Sequence, residues 1–502
     1  MHQQNNNIII DIFRFHGIKY LYMSQHPLEH IFHPRSIAVI GASEDPRSLG
    51  YHFVRHLLDY SYRGQIYPVN PKLEKVFNLK NYPDLKYVPG SVDYVISCIS
   101  ASKVVDLLSE CPNHGVKVVH LFTGRLSETG RPDAVKIEQQ ILKQAKEFNI
   151  RLLGPNCVGI YYPKEGISFG YDFPKEPGPV GGFFQSGGAA GEFIRYASLR
   201  GIRFSKGISY GNALDLNETD FLGYFSEDKE TKIIVSYIEG VKDGRRFLDT
   251  LRHVSRLKPV IILKGGRSKA GNRAAASHTA ALAGSLNLWE TAIKQAGSIQ
   301  VESLDEMIDL TVSFSFLPPI FGRRVGIAGG GGGRSVLSAD EWEEEGFNVV
   351  PLPDGLRNGL KEKAPDIWDW IGNPADRSMM EGSQISTGEI LRMMLKESDF
   401  DFLIANVTDD APFEKERWTA TLREEISDFI EIGKNGGKPL AVVLRAGDLA
   451  INHFEDWRWK FIAEQRRRLI DAQLPVFSSF GRAAKAMRCL VEYYQKVSKL
   501  RG

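Results

Sequence analysis

Short runs of β-branched and aliphatic residues recur along the chain, each followed by a turn rich in small residues and then by apolar positions at helical spacing. The first is Ser36–Ile40 (SIAVI), which ends in Gly41-Ala42-Ser43. A helix is expected to start near Leu49-Gly50. Further strands are expected at Gln65–Val69, Tyr94–Cys98, Val116–Leu121 and Arg151–Leu153, with a helix over Ala134–Phe148. Buried apolar strands alternating with helices imply an α/β fold with a parallel sheet, and ligands then bind at the carboxyl ends of the strands. The glycines of this first unit do not form GxGxxG, so the dinucleotide fingerprint is absent. A phosphate-bearing ligand can still sit on the first helix N-terminus.

The remainder reads as two copies of one pattern. Gly182–Gly191 (GFFQSGGAAG) is matched by Gly326-Ile327-Ala328 and the glycines 329–333. Gly211–Asp215 (GNALD) is matched by Gly372–Asp376 (GNPAD), and Lys258–Leu263 by Lys438–Leu444. Three shared elements in the same order argue for a repeated fold, with Pro318-Pro319 as the junction. Expected boundaries are an extension over residues 1–27, a first domain over 28–165, a second over 175–318 and a third over 323–497. Residues 1–22, rich in Asn and Gln at the start, are expected to carry no chemistry.

A length of 502 residues fits roughly three domains. The net charge of +2 argues against a broad nucleic-acid or membrane role, and no apolar run approaches the ~20 residues that span a bilayer. Four scattered cysteines without CxxC spacing argue against a disulfide framework and a structural zinc site, and fit a reducing cytoplasm.

Candidate chemistry centres on GRSKAGNRAAASHTAALAG, which ends at Gly284. His278 lies there among small residues, with Arg267, Lys269 and Arg273 just before it. A neutral imidazole is a competent nucleophile near pH 7, and neighbouring cations favour anions. A phosphoryl acceptor and an ordinary hydrogen-bonding loop histidine weigh equally from this segment alone. Each of the twin units also has a strand, a glycine loop and a helix in succession, which aims unpaired amides and the positive helix end at one point. Two such termini converging on a phosphorylated imidazole would stabilise it. Glu239 ends the run Ile233–Ile238, where a carboxylate can accept the second ring N–H of an imidazole; a surface turn is the alternative. Asn212 and Asp215 recur in both copies while the His loop does not, which favours a structural role. Cys157 has no activating neighbour and is expected to be inert. Trp368 and Trp370 are expected to pack, and Arg466-Arg467-Arg468 to form a solvated helix face.

These motifs together resemble the alpha subunit of NDP-forming acyl-CoA synthetases, the ADP-forming acetate–CoA ligases, relatives of succinyl-CoA synthetase. The resemblance covers nearly all of residues 28–495. It rests on SIAVIGAS (36–43), YPVNPK (67–72), RLLGPNCVG (151–159), FFQSGGAAGE (183–192), YIEGVKDGRRF (237–247) and SHTAALAG (277–284). It implies a CoA-binding Rossmann-like domain followed by two flavodoxin-like parallel α/β domains. It makes His278 a phosphohistidine steadied by Glu239. Ser186, Gly187 and Gly188 would bind phosphate, and Gly331, Gly332 and Gly333 would play the matching part from the third domain. Gly41, Ser43, Gly50, Lys72 and Thr123 fall where the family holds CoA.

Two departures stand out. The family's HTG is HTA here, with Ala280 after Thr279, and the third-domain loop GGGGGR brings in Arg334, which could meet phosphate or solvent. Nothing resembles an ATP-grasp domain. The resemblance therefore implies a separate ATP-grasp beta subunit that carries Mg2+ and ADP/ATP, in a hetero-oligomer acting on a small organic acid and CoA. The expected reaction interconverts acyl-CoA, phosphate and ADP with acid, CoA and ATP. A non-catalytic CoA- or acyl-CoA-binding regulatory or scaffold subunit is the rival reading. An acyltransferase would need an appended acetyltransferase-like domain, which is not seen.

Overall fold

A computed structural model describes residues 26–279, 286–380, 385–409, 414–445 and 455–501. Three mainly parallel sheets follow one another along the chain. The first contains β1 (Ser36–Ile40), β2 (Gln65–Val69), β3 (Tyr94–Ser97), β4 (Val118–Leu121) and β5 (Arg151–Leu153), in the order β2-β1-β3-β4-β5. All of its pairings are parallel. β1 is buried along its whole length, which is why its sequence is a continuous apolar run rather than an alternating one. Helix α1 (Leu49–Asp59) follows β1.

The second sheet has six strands: β6 (Gly159–Tyr161), β7 (Pro177–Phe184), β8 (Phe204–Ser209), β9 (Ile233–Ile238), β10 (Val260–Lys264) and β11 (Ile299–Val301). Their order is β11-β10-β9-β7-β8-β6. β6 lies inside the stretch expected to form the first unit, yet it pairs antiparallel with β8. The chain thus stitches the first unit onto the second sheet before that sheet begins in earnest. Helices α2 (Gly187–Leu199), α3 (Gly244–Val254), α4 (Lys269–Thr279), α5 (Leu286–Ala296) and α6 (Leu304–Phe316) belong to this unit. The third sheet is smaller: β12 (Val325–Gly329), β13 (Phe402–Val407), β14 (Leu440–Leu444) and β15 (Val476–Phe477), in sequential order. Its glycine loop leads into α7 (Gly333–Glu344), and the described chain closes with α8 (Phe480–Arg501).

The cores run on across the units. Phe32 and Phe53 of the first unit share a cluster with Phe183, Phe225 and Ile262 of the second. Phe184, Phe193 and Leu310 of the second share another with Trp342, Phe402 and Leu490 of the third. Polar clamps fix the junctions. Asp215 accepts from Arg151 Nε (2.8 Å), Arg151 Nη2 (3.0 Å) and the Leu152 amide (2.9 Å), so the aspartate of GNALD is a structural staple, as its recurrence suggests. Asp309 on α6 pairs with Arg200 (3.1 Å) and with Arg482 of α8 (2.5 Å).

Two expectations are corrected. Trp370 is 71% exposed and does not pack, whereas Trp368 lies partly buried against the third core. Arg466 is not on a solvated face: it donates to the Leu444 carbonyl at 2.6 Å, and burial pulls its pKa down to about 10. Arg468 is also half-buried, donating to Gln465 Oε1 at 2.6 Å and Ser427 Oγ at 2.8 Å, so of the three arginines Arg467 is the exposed one. Cys157 is buried, and burial raises its thiol pKa, so it is inert as expected. No helix among the described residues is long and apolar enough to cross a membrane.

His120 on β4 is a buried histidine that no motif announces. Its Nε2 bonds the Cys157 carbonyl at 3.0 Å, and burial lowers its pKa to about 4. The folded chain keeps this imidazole neutral, while the unfolded chain protonates it near pH 6.5. Its stabilising contribution is complete above about pH 6.5 and is lost as the pH falls toward 4, a change of about 3 kcal/mol. Urea midpoints measured between pH 7 and pH 4.5 are expected to fall less steeply for His120→Gln than for wild type. Parallel curves would exclude His120 as a source of acid sensitivity.

Candidate functional site

The parallel register of the second sheet builds the site. Tyr237 on β9 lies opposite Phe184 on β7, so the residues just past both strand ends emerge side by side. Gln185 follows β7, and its buried side-chain oxygen accepts the amides of Glu239 (2.7 Å) and Gly240 (3.1 Å). Ser186 then caps α2, with Oγ accepting the Ala189 amide at 3.3 Å. Ser186, Gly187 and Gly188 at a helix N-terminus are thereby held beside Glu239 through a single glutamine. Sequence reasoning passed over Gln185, although it stands inside the FFQSGG motif.

Glu239 is 8% exposed, so the surface-turn alternative does not hold. Tyr237 donates its hydroxyl to Glu239 Oε1 at 3.2 Å, and burial raises the tyrosine pKa, which keeps the donor protonated. Lys264 at the end of β10 donates to the Glu239 carbonyl (2.7 Å) and to the Gly265 carbonyl. A Cβ at Gly265 would come within 2.4 Å of the Tyr237 hydroxyl and 3.1 Å of Glu239 Cγ, so glycine is required there for close approach.

Beyond Gly266 the chain enters α4, which carries His278 as its penultimate residue. The His278 side chain and Ala280 lie outside the described residues. α4 touches the Ser127–Thr129 turn of the first unit. In that turn Glu128 accepts the Arg125 amide (2.5 Å) and Asn212 Nδ2 (3.2 Å), tying the first unit to the second beside the His-bearing helix. Of the cations preceding His278, Arg267 is engaged elsewhere, donating to the Glu302 carbonyl at 2.6 Å.

In the third unit Gly329 and Gly330 have φ of +96° and +76°, and a Cβ on either would strike Asn406 at about 2 Å. Gly332 (φ +56°) caps α7, and the space around Gly332 and Gly333 is open. The Gly331 carbonyl, between Gly330 and Gly332, accepts the Arg334 amide at 3.3 Å. Arg334 Nη1 bonds Asp409 Oδ1 at 2.9 Å.

Gly41, Ser43, Gly50 and Lys72 meet at the carboxyl ends of β1 and β2. The Gly41 amide bonds the Val69 carbonyl (2.9 Å), and Asn70 Nδ2 bonds the Ala42 carbonyl (2.7 Å) while its Oδ1 accepts the Lys72 amide (2.9 Å). Ser43 Oγ accepts the Asp45 amide at 3.0 Å. Ser48 leaves the α1 N-terminus without a side-chain cap, so its amides remain available to an anion. Thr123 lies past β4 and donates to the Ile99 carbonyl at 2.6 Å. The open α1 terminus, the exposed Lys72 and the side-chain-free approach at Gly41 suit the phosphates of a CoA-type ligand.

Two family models match the chain: a CoA binding domain over residues 35–163 and a succinyl-CoA ligase like flavodoxin domain over 177–314. Together with the paired glycine loops they place the protein in the succinyl-CoA ligase class of acid–thiol ligases. Among curated proteins it is 33% identical to the acetate–CoA ligase [ADP-forming] II subunit alpha of Pyrococcus furiosus, over 94% of this chain and 98% of that one. It is 38% identical to the acetate–CoA ligase [ADP-forming] of Methanocaldococcus jannaschii, over 70% of this chain but only 49% of that one. Among solved structures it superposes, with a TM-score of 0.79 and 30% identity, on the dinucleotide forming acetyl-coenzyme A synthetase 1 of Ca. Korarchaeum cryptofilum in complex with phosphate and ADP, covering 95% of this chain and 99% of that one. The chain belongs to the family of ADP-forming acetate–CoA ligase alpha subunits.

Proposed function

We propose that the chain is the alpha half of an NDP-forming acyl-CoA synthetase that works through an acyl phosphate and a phosphohistidine at His278. The observation that carries this reading is the Gln185 clamp, which fixes Glu239 beside the α2 N-terminus at the point where α4 sets out toward His278. In the acyl-CoA-consuming direction a phosphate oxygen attacks the thioester carbonyl. The C–S bond breaks, and CoA leaves as its thiol. The imidazole of His278 then attacks the phosphorus of the acyl phosphate, and the acid departs as carboxylate. Glu239 holds the proton on the other ring nitrogen, so that in the reverse step the imidazole leaves as a neutral group. Splitting the exchange into covalent phosphoryl steps conserves free energy that hydrolysis would lose.

The α2 terminus (Ser186, Gly187, Gly188) and the α7 terminus (Gly331, Gly332, Gly333) stabilise the phosphoryl group with oriented amides. Gly41, Ser43, Gly50, Lys72 and Thr123 hold CoA. A separate ATP-grasp beta subunit supplies the ADP/ATP site and its Mg2+; the chain's match to about half of the M. jannaschii enzyme supports a two-chain arrangement. Four free cysteines support a reducing, cytoplasmic setting.

The test is labelling with γ-labelled ATP in the presence of a beta subunit of the family. Acid-labile, base-stable label on the chain is expected. Absence of label would favour the non-catalytic CoA-binding subunit. Glu239→Gln is expected to slow single-turnover labelling roughly 10- to 100-fold, because an amide can orient the ring but cannot match the charge. Equal labelling rates would reduce Glu239 to a turn residue. Lys72→Ala is expected to weaken CoA binding roughly tenfold through loss of a charge-assisted phosphate contact, with labelling from ATP unchanged. Loss of both together would remove Lys72 from the CoA site.

A further inference from the structure

Glu239 stands at the head of a turn, residues 239–243, that joins β9 to α3 without regular secondary structure. The main chain of this turn is nonetheless anchored by side chains from three separate elements. Gln185 accepts the amides of Glu239 and Gly240, and Lys264 donates to the Glu239 carbonyl. The third anchor is Glu218, first residue of the helix Glu218–Glu227, whose Oε1 accepts the Lys242 amide at 2.8 Å. A glutamate in a first helical turn ordinarily meets the helix dipole from solvent, but Glu218 is 0% exposed. Its Oε2 is buried and has no hydrogen-bond partner among the described residues, and neither has the buried hydroxyl of the nearby Tyr210. Burial raises the Glu218 pKa, and Asp220 adds to the rise, against the pull of the Lys242 amide, of its own amide and of the Lys242 ammonium. Burial also raises the Tyr210 pKa, followed by Glu218, Glu239 and Tyr237, so this phenol lies in the field of both carboxyls. A buried carboxyl with an unbonded oxygen costs the fold free energy. Stability therefore does not explain Glu218, whereas the main-chain group it holds belongs to the turn that carries Glu239.

We propose that Glu218 is a positioning residue for phosphoryl transfer: by holding the Lys242 amide it closes the far end of the turn that Gln185 holds at Glu239 and Gly240, and so keeps the Glu239 carboxylate aimed at the imidazole of His278. The proposal rests on the ligase reading above. An orienting carboxylate has to stay within about 0.5 Å of its working position, which requires support from groups that are themselves fixed. The turn lacks the hydrogen-bond ladder of a strand or helix, and Gly240 within it is the most conformationally free of residues. Only Val241 separates the amides held by Gln185 and by Glu218. Release of the Lys242 amide therefore lets Gly240 turn and loosens the Gln185 bond next to Glu239. The helix that carries Glu218 is itself fixed, by the Asn217–Asp220 capping box and by the Asp220–Arg246 pair at 2.6 Å to α3.

The experiment uses the full chain assembled with a beta subunit of the family and compares Glu218→Ala, Glu218→Gln and Leu222→Ala with wild type. Glu218→Ala is expected to slow single-turnover labelling from γ-labelled ATP roughly 10- to 100-fold, the usual effect of removing a supporting group behind a working one, with the KM for CoA unchanged. Glu218→Gln keeps an oxygen for the Lys242 amide and is expected to recover most of that rate. Leu222→Ala takes buried apolar contact from the same helix and no hydrogen bond from the turn, so it is expected to lower the urea midpoint while the folded complex labels at the wild-type rate. Wild-type labelling in Glu218→Ala would overturn the proposal. So would an equal loss in Glu218→Gln, or a loss in Leu222→Ala that matches Glu218→Ala, since the rate would then follow the stability of the helix. Hydrogen exchange of the segment 239–243, read by mass spectrometry on the same complexes, is independent of turnover. Exchange at least about tenfold faster in Glu218→Ala, with wild-type protection in Glu218→Gln, supports the anchor, and unchanged exchange overturns it. Absence of labelling in the wild-type complex strikes at the ligase reading itself, while the exchange measurement still reports whether Glu218 holds the turn.

Discussion

His278→Ala, assembled with a beta subunit, is expected to lose nucleotide-dependent acyl-CoA formation by a factor on the order of 10⁴ or more, and to take up no label from γ-labelled ATP. The loss is large because the residue would be the covalent carrier. Without it the acyl phosphate has no route to the nucleotide, and removal of a nucleophile from a covalent relay costs far more than removal of a binding contact. CoA binding is expected to survive nearly intact. The proposed CoA residues Gly41, Ser43, Gly50, Lys72 and Thr123 lie on the first sheet's carboxyl edge, whereas α4 belongs to the second unit and meets the first near Ser127–Thr129. Activity and CoA affinity are therefore measured on the same preparation. Full activity in the variant would remove the phosphohistidine from the mechanism.

Gly50→Ala is expected to abolish useful CoA binding and to destabilise the first unit by about 3 kcal/mol. A Cβ at this position would sit 1.9 Å from the Gly41 carbonyl oxygen and 2.9 Å from Ala42 Cα. Those are backbone atoms, and the Gly41 and Ala42 amides are themselves bonded to the Val69 carbonyl, so the loop cannot yield without breaking the β1–β2 edge. The alternative is displacement of the α1 N-terminus, which spoils the amide geometry that would face the CoA phosphates. The two effects are separable: calorimetry with CoA reads the first, and urea denaturation the second. His278 labelling in the surviving folded fraction is expected to persist, because the proposed phosphoryl site is built on the second sheet. Unaltered CoA affinity would mean that α1 is not part of the CoA site.

Gly50 shows what local sequence conveys. A glycine near a strand-to-helix turn is visible in the sequence, and so is its association with phosphate-bearing ligands. The reason it must be glycine is the Gly41 carbonyl nine residues earlier, which only the packing of α1 against that loop brings within reach. Gln185 is the complementary case. It stood inside a motif that was read for its serine and glycines, yet its side chain joins two strand ends by bonding amides of residues more than fifty positions away. A polar residue that follows an apolar strand carries no sign of which neighbouring strand it will serve, because that depends on sheet order. The same holds for Arg334, whose partner Asp409 lies seventy-five residues on, and for Arg466 and Arg468, which only the packing of their helix distinguishes from the exposed Arg467.

Sequence alone determined the α/β class, most strand positions and the twin pattern of the second and third units, and it named the residues of the candidate site. These are short-range properties: hydrophobic runs set strands buried on both faces, and small residues mark turns where a backbone must come close. Tertiary structure decided the rest. It assigned Gly159–Tyr161 to the second sheet, gave the third sheet four strands where its counterpart has six, turned Trp370 outward and His120 inward, and tied Glu218 to the turn that follows Glu239. Each of these outcomes depends on which elements become neighbours, and neighbours are chosen by the burial of whole faces against one another rather than by any residue's own preference.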